Sequence, residues 1–441
     1  MVLFYAEKLN PRIEYAARLI FSDILKVDIS FSTESEQFLN SDLPKINYSG
    51  KRIGNGLFIR PSTFLYYRSI FKPVIKPLLY NGVYCFFETS TNSDLPFDPF
   101  AGAFYLVTRF EEHLELITDK FKRYPAERST LSKYDQLKKP VVNIWARMIA
   151  DELVKRYPEF NIPAPEFNFI STIDVDNAWS YSHKGFARSS GALFRSFLKV
   201  NFNEVCERIK VLSGKKEDPF YTFPLLDEIF KDNEENIIFF FLLGNYDRYD
   251  KNISWRNSYL RELISRTSLK YSIGIHPSFS SGCSSGEELL KTEILRFLQI
   301  TGHKPIKSRQ HYVRLNMPHT YRRLIDNGIK EDYTMGYASQ TGFRAGICTP
   351  FLFYDLNKDS VTPLRVFPFQ VMDVTLCDYL GLSPDQAGEE VRKLMEEVKN
   401  VGGTFISIWH NDSLTGRGRW EGYNEVFYNM NKTGFNWSDG H

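Results

Sequence analysis

The feature that most constrains the fold is an alternation of apolar runs and amphipathic stretches that begins near residue 167. Strands are predicted at 167–173, 237–243, 272–275, 332–337 and 404–409. Helices are predicted at 223–230, 255–268, 321–326, in a stretch ending at Ile300 after a capping box of Ser285 and Glu288, and in one starting with Ser383, Pro384 and Gln386. Strands that alternate with helices form a parallel sheet with helical crossovers. At this length, the pattern predicts a β/α barrel.

The first 160 residues have a different texture. Short apolar runs alternate there with turn-rich stretches, and one long helical pattern covers 141–156. Arg109, Glu111 and Glu112 are interpreted as a charged helix face. Prolines at 158, 163 and 165 indicate a linker. We therefore predict a smaller α+β accessory domain at 1–160, followed by a distorted (β/α) barrel domain at 161–441.

Charge and cysteine usage exclude several classes of protein. The 441 residues include 55 basic and 53 acidic side chains, a net charge of +2, which gives no electrostatic surface for nucleic acid. The five cysteines are widely spaced and include no C-x-x-C pair, so neither a disulfide framework nor a structural zinc site is expected. Without a signal-like N-terminus or an apolar run of membrane-spanning length, a cytoplasmic protein is expected. The oligomeric state is left open.

Polar side chains follow several of the predicted strands at the point where each strand ends. Asp174 and Asp176 follow the first strand, His276 follows the third and His410 follows the last. In β/α barrels this edge of the sheet forms the active site. Two neighbouring carboxylates repel unless they share a cation or a proton. A lone D-x-D is also compatible with an Asx turn or a helix cap.

Other residues extend this set. His276, fixed in direction by Pro277, is a candidate metal ligand, and His311 is either a further ligand or a histidine hydrogen-bonded within the barrel. Arg344 lies between small residues and could hold a carboxylate through two parallel hydrogen bonds. Asp373 also ends an apolar run, and an acid beside His410 would raise the pKa of the imidazole. The sequence does not show that Asp373 and His410 meet.

In this order, these motifs resemble those of the polysaccharide deacetylase superfamily (carbohydrate esterase family 4, the NodB-homology fold). The resemblance covers roughly residues 167 to 415, and the N-terminal segment is similar to the accessory region of some bacterial members. It implies that Asp174 is the catalytic base, steadied by Arg344, and that Asp176 and His276 bind a divalent metal. It also implies that His410, assisted by Asp373, is the catalytic acid.

The sequence departs from the family at one position. The family usually has a second histidine four residues after the first, and here that residue is Ser280. Either His311 replaces this ligand, or water does, or metal binding is weakened. The ligand mix favours zinc, although cobalt, nickel or iron would fit similarly.

The resemblance implies a hydrolase that removes an acyl group, most simply N-acetyl, from an amino sugar or a related N-acyl carbohydrate. This reaction breaks a C–N bond other than a peptide bond. Phe343, Trp409 and Asn411 adjoin the motif residues and are predicted to contact the substrate. Two alternatives remain open. One is a non-catalytic barrel that binds carbohydrate, and the other is a metal-dependent glycosyltransferase that uses Asp174 and Asp176.

Overall fold

The computed structural model of the chain describes residues 1–90, 92–114, 117–184, 202–283 and 286–440. Its strands are β1 (Val2–Ala6), β2 (Ile29–Ser32), β3 (Lys45–Tyr48), β4 (Leu57–Phe58), β5 (Leu78–Tyr80), β6 (Val83–Cys85), β7 (Phe167–Val175), β8 (Ile237–Leu242), β9 (Ser272–His276), β10 (Lys307–Ser308), β11 (Glu331–Asp332), β12 (Phe351–Asp355), β13 (Ser360–Val366), β14 (Val371–Met372) and β15 (Gly403–His410). Its α-helices are α1 (Pro11–Arg18), α2 (Ser35–Asn40), α3 (Pro99–Val107), α4 (Thr130–Lys133), α5 (Val141–Arg156), α6 (Phe202–Leu212), α7 (Phe223–Ile229), α8 (Ser258–Lys270), α9 (Glu287–Thr301), α10 (His319–Asp326), α11 (Pro384–Val401) and α12 (Tyr423–Ser438). The fold is mixed α/β.

The N-terminal region contains a four-stranded parallel sheet in the order β2-β1-β3-β4. Its helices begin at clear caps: the Asn10 side chain accepts from two backbone N–H groups of α1, and Asp98 does the same for α3. The apolar core of this region continues without a break into the C-terminal region. At that junction, the Tyr15 hydroxyl donates to the Leu352 carbonyl at 2.6 Å. The domain boundary near residue 160 stays a prediction.

The C-terminal region is built on a nine-stranded sheet in the order β12-β13-β11-β10-β9-β8-β7-β15-β14. All its pairings are parallel except β12 with β13. The sheet curls around a small inner core, in which Phe240 of β8 lies 5.4 Å from the Tyr333 ring beyond β11. This arrangement confirms the parallel α/β architecture predicted from the alternation.

The predicted barrel is not closed by strand pairing. Within the described residues the sheet has two ends, β12 and β14, and no ladder joins them. The segment between β13 and β14 spans the gap through single hydrogen bonds, from Phe369 N to Met335 O and from Gln370 N to Ile406 O, both 3.0 Å. Strands β11 and β14 are each two residues long. They are too short to pair continuously with the segment between β13 and β14, so the barrel stays open there.

Most elements predicted from periodicity are confirmed with small boundary changes, and Ser383 and Gln386 form the predicted capping box. Two interpretations are wrong. The strand predicted at 332–337 ends at Asp332, because its carboxylate accepts from Thr334 N at 2.9 Å and turns the chain. Arg109, Glu111 and Glu112 are buried in ion pairs rather than solvated.

The predicted cap at Ser285 lies outside the described residues. None of the helices found in the described ranges has the length and apolar composition needed to span a bilayer.

Candidate metal centre

The strand ends bring the predicted polar residues to one edge of the large sheet. Asp174 lies near the end of β7, and His410, the last residue of β15, is directly opposite it in the β7–β15 ladder. His276 ends β9, which is separated from β7 by β8 alone. His311 follows the short strand β10. Because these strands are parallel, their carboxyl ends meet at the same edge.

Asp176, His276 and His311 face one another at the centre of this edge. The Nε2 atom of His276 lies 3.2 Å from Asp176 Oδ1, and that of His311 lies 3.1 Å from Asp176 Oδ2. One ligand atom from each residue fits within a span of 4.8 Å. The Asp176 side chain is 34% exposed to the adjoining cavity, whereas both histidines are buried.

Hydrogen bonds on the far side of each ring fix which nitrogen faces Asp176. His276 Nδ1 lies 2.6 Å from the Arg309 carbonyl, which can only accept, so Nδ1 carries the proton and Nε2 offers a lone pair. His311 Nδ1 lies 2.7 Å from the fully buried Asp250 carboxylate. In metal sites, a ligating histidine usually donates its other ring N–H to a carbonyl or a carboxylate, which fixes the ring. The rings of His276 and His311 both have such a partner.

The charges of the cluster call for a cation. Burial would lower the pKa of His311, but Asp176 and Asp250 outweigh it and raise that pKa to about 9. Burial would raise the pKa of Asp176, but the neighbouring His311 outweighs it and holds that pKa well below its usual range. Although the Asp176 side chain is partly exposed, its Oδ1 atom is buried and has no hydrogen-bond partner among the described residues. One carboxylate and two imidazoles are ligands that suit a divalent ion such as zinc. The unpartnered oxygen of Asp176 fits the same interpretation.

Asp174 lies beside this cluster and is held by an arginine. Its Oδ1 accepts from Arg309 Nη1 at 2.9 Å, and Oδ2 lies 3.7 Å from His276 Nε2. Arg309 is fully buried, and it also donates to Thr172 Oγ1 at 2.6 Å and to the Tyr333 carbonyl at 3.1 Å. Its guanidinium is therefore fixed against the carboxylate.

Arg344 does not take the position expected for it. Its guanidinium donates to both oxygens of Glu112, at 3.0 and 2.7 Å, and to the Gly336 carbonyl at 3.0 Å. Its partner therefore comes from the N-terminal region. The correction is that Arg309 steadies Asp174, because it directly follows β10 and points across the sheet edge.

His410 and Asp373 do meet. His410 Nδ1 lies 2.9 and 3.2 Å from the two Asp373 oxygens, and the His410 backbone N–H donates to Asp373 at 2.8 Å. The Nε2 atom points towards Asp176 Oδ2 at 3.9 Å. Burial would lower the pKa of His410, but Asp373, Asp176 and Asp174 hold it well above its usual range.

A cavity of about 320 Å³ opens onto these residues and is walled by Tyr249, Tyr312 and Trp420. None of the three residues predicted to contact substrate lines it. Trp409 is fully buried and packs against Phe427 of α12, 5.0 Å between ring centres, because successive residues of a strand point to opposite faces.

Phe343 is fully buried in the main core. Asn411 donates to the Phe220 carbonyl at 2.8 Å and holds a loop. Neither residue lines the cavity.

Sequence reasoning missed three residues of the site. Arg309 stood in the motif with His311, and its place right after a strand was the available signal. Asp250 lies in a turn-rich loop after β8, and nothing in its local pattern marks it. Asp412 lines the cavity, and burial raises its pKa to about 6.

Comparisons with known proteins give limited information. Residues 2–158 match a family of unknown function, DUF7033. No curated protein matches the chain. Solved structures similar to it include one from Mycobacterium smegmatis assigned as a polysaccharide deacetylase, 17% identical over 61% of this chain and 85% of that one, with a TM-score of 0.40.

Two others are the Bacillus cereus polysaccharide deacetylase Bc1974 (12% identity, 60% and 88% coverage, TM-score 0.30) and a CE4-family pseudoenzyme of Bacillus anthracis (12%, 64% and 75%, 0.31). TM-scores this low assign no function to the site.

Proposed function

We propose that the chain is a metal-dependent hydrolase that removes an acyl group, most simply N-acetyl, from an amino sugar or a related N-acyl carbohydrate. The observation that carries this proposal is the convergence of three kinds of group at one edge of the sheet. Asp174 and His410 lie opposite each other on β7 and β15. Both adjoin the Asp176–His276–His311 cluster, and the first is held by an arginine and the second by an aspartate. A base, a cation site and an acid within reach of one another suit amide hydrolysis.

Asp176, His276 and His311 would hold the ion. A divalent cation held there would lower the pKa of a bound water and would polarise a carbonyl oxygen. The position four residues after His276, Ser280, turns away: its hydroxyl donates to Asp247 at 2.9 Å. His311 would supply the ligand that the sequence lacks at that position, and its place within the cluster supports a catalytic barrel over a non-catalytic one.

The remaining residues would divide the proton transfers between them. Asp174, held in place by Arg309, would accept a proton from the attacking water. His410 is charged because Asp373 raises its pKa, so it can donate a proton to the nitrogen as the amide C–N bond breaks. The products are the free amine and a carboxylate.

The test is acetate release from N-acetylated sugars by the zinc-loaded protein, before and after chelation. The proposal predicts turnover that is lost on chelation and restored by zinc or cobalt. Turnover that persists unchanged in the chelated protein would contradict it, as would the absence of turnover from any N-acetylated sugar in the loaded protein.

A further inference from the structure

An irregular segment of the N-terminal region, residues 67–77, joins the short helical turn Thr63–Tyr66 to strand β5. Exposed and half-buried residues alternate along its second half. Lys72, Val74 and Lys76 are exposed, whereas the residues between them are half-buried. An apolar side chain therefore lies between two lysines on the outer side of this segment.

The 67–77 segment and the strand that follows it expose large apolar side chains. Val74 is 81% exposed, Leu79 is 62% exposed and Tyr67 is 52% exposed. Single apolar residues at a protein surface are common and need no explanation. Three of them within one short stretch of chain are more typical of an interaction surface.

A cavity of about 730 Å³ lies beneath the same segment. Its walls are largely apolar, and its aromatic members are Phe64, Tyr67, Phe71 and Phe87. Val74 also lines it, so this exposed side chain stands at the mouth of the cavity. The surface therefore offers an apolar recess behind an apolar tip.

The charge of this part of the chain has one sign. From Pro61 to Phe87 the sequence contains no acidic residue, but it contains Arg68, Lys72 and Lys76. All three are exposed. The segment therefore combines apolar side chains with basic ones.

Two acidic residues from elsewhere in the chain approach the segment. Asp359 lies 3.7 Å from Arg68 Nε, but it is also paired with the buried Arg12 at 2.7 Å. Glu88 lines the cavity together with Lys76. Neither acid lies within the segment, so its outer side keeps its basic character.

A lipid bilayer with anionic headgroups matches both properties. Lysine and arginine side chains place their charges among anionic headgroups, while neighbouring apolar residues enter the layer below. Charge and apolar exposure are complementary to the same partner.

Two other partners match less well. A strand from another chain, including a second copy of this one, would need backbone N–H donors along the segment, and Pro73 and Pro77 have none. Nucleic acid would pair with the basic side chains but would leave Val74 and Leu79 without a contact.

We propose that the 67–77 segment docks the chain on the surface of a bilayer that contains anionic lipids. Val74 and the mouth of the cavity would meet the apolar layer, and Arg68, Lys72 and Lys76 would meet the headgroups. This inference goes beyond the proposed hydrolase activity and does not depend on it. It gives the region that matches DUF7033 a role in membrane attachment.

The test is co-sedimentation of the full-length protein with vesicles of phosphatidylcholine, with and without phosphatidylglycerol. We expect about tenfold or greater binding to the anionic vesicles, weakened by added salt. Val74→Asp should reduce this binding by about tenfold or more, because it places a charge in the apolar layer. Lys76→Gln should reduce it by about fivefold, the contribution of one basic residue near an anionic surface.

Matched controls come from the other end of the chain. Leu269→Asp changes an apolar side chain at the end of α8 that is 89% exposed, and Lys304→Gln removes an exposed lysine after α9. Both variants should bind the anionic vesicles as the parent does. Thermal unfolding of all four variants checks that each is folded.

The outcomes are independent of acetate release, so they separate this inference from the proposed function. Absence of binding to either vesicle, or equal binding to both, would overturn the proposal. Equal binding by Val74→Asp and Leu269→Asp would overturn the assignment to this segment. If the parent instead dimerises in sedimentation velocity and Val74→Asp alone is monomeric, the segment is an interface between copies and the membrane proposal is overturned.

Discussion

Two buried clusters of charged residues contrast in how their charges are balanced. In the network that joins the N-terminal region to the large sheet, Arg109 and Arg344 face Glu111 and Glu112 in ion pairs of 2.5–2.8 Å. Two guanidinium groups therefore balance two carboxylates, with Glu112 shared between them. At the candidate metal centre the carboxylates Asp174, Asp176, Asp250 and Asp373 meet a single guanidinium, that of Arg309, and three histidines.

Buried charged residues therefore do not by themselves identify a functional site. The balanced network satisfies itself and needs no ligand, so it is a structural connection between two parts of the chain. The metal centre holds an excess of acid that only protonated histidines or a bound cation can offset. We therefore expect removal of one acid to affect turnover at the metal centre and stability in the balanced network.

The largest expected effect is on turnover at the metal centre. Asp174→Asn removes the proposed base but keeps an oxygen for Arg309, so we expect turnover to fall by about a thousandfold while zinc remains bound. Rates of acetate release and metal analysis of the same preparation check this. Near-normal turnover in the variant would remove Asp174 from its proposed role.

The same kind of change in the balanced network should act on stability. Glu112→Gln leaves two buried guanidinium groups without their shared carboxylate, so we expect the free energy of unfolding to fall by about 3 kcal/mol. Denaturant unfolding measures it. Glu389→Gln, in an exposed ion pair with Arg392, is the control and should change little. If both variants lose the same small amount, the network is not a structural connection.

The network should also depend on pH. Burial would raise the pKa of Glu112, but Arg344 and Arg109 outweigh it and lower that pKa from 4.5 to about 2. A lowered folded-state pKa gives stability that is present above pH 4.5 and lost as the pH falls towards 2. The stability difference between the parent and Glu112→Gln should shrink by most of its value over that range. A difference that stays constant would contradict the account.

A smaller effect is expected at Asp250, which orients His311 from outside the cluster. Asp250→Asn should weaken zinc affinity by about 10- to 100-fold, since the outer partner of a ligating histidine fixes its ring. Asp247→Asn, an exposed aspartate in the same loop, is the matched control. Competition with a chelator of known affinity measures both variants. Equal affinity in the two would show that Asp250 does not act through His311.

Much of the fold was predictable because strand and helix periodicities are local signals. The ends of β7, β9 and β15 were found to within two residues, and with them Asp174, Asp176, His276 and His410 came to the correct edge. The predictions that were wrong concern contacts between residues that are far apart in the sequence. Arg344 and Arg309 both stand in polar surroundings in the sequence, and only the chain path shows that Glu112 meets the first and Asp174 the second.

The residues predicted to contact substrate do not line the cavity, for a related reason. Trp409 adjoins His410 in sequence, but the alternation of a strand points the two side chains to opposite faces. Asp250 reaches His311 from a loop, and the position of a loop carries no periodic signal.

The metal centre is tested most simply by measuring the divalent-metal content of the purified chain and of its His276→Ala and His311→Ala variants after incubation with zinc. We expect about one tightly bound ion per chain in the parent and a loss of that ion in both variants. A parent that takes up no ion from zinc or cobalt, or a His311→Ala variant that binds zinc as tightly as the parent, would contradict it.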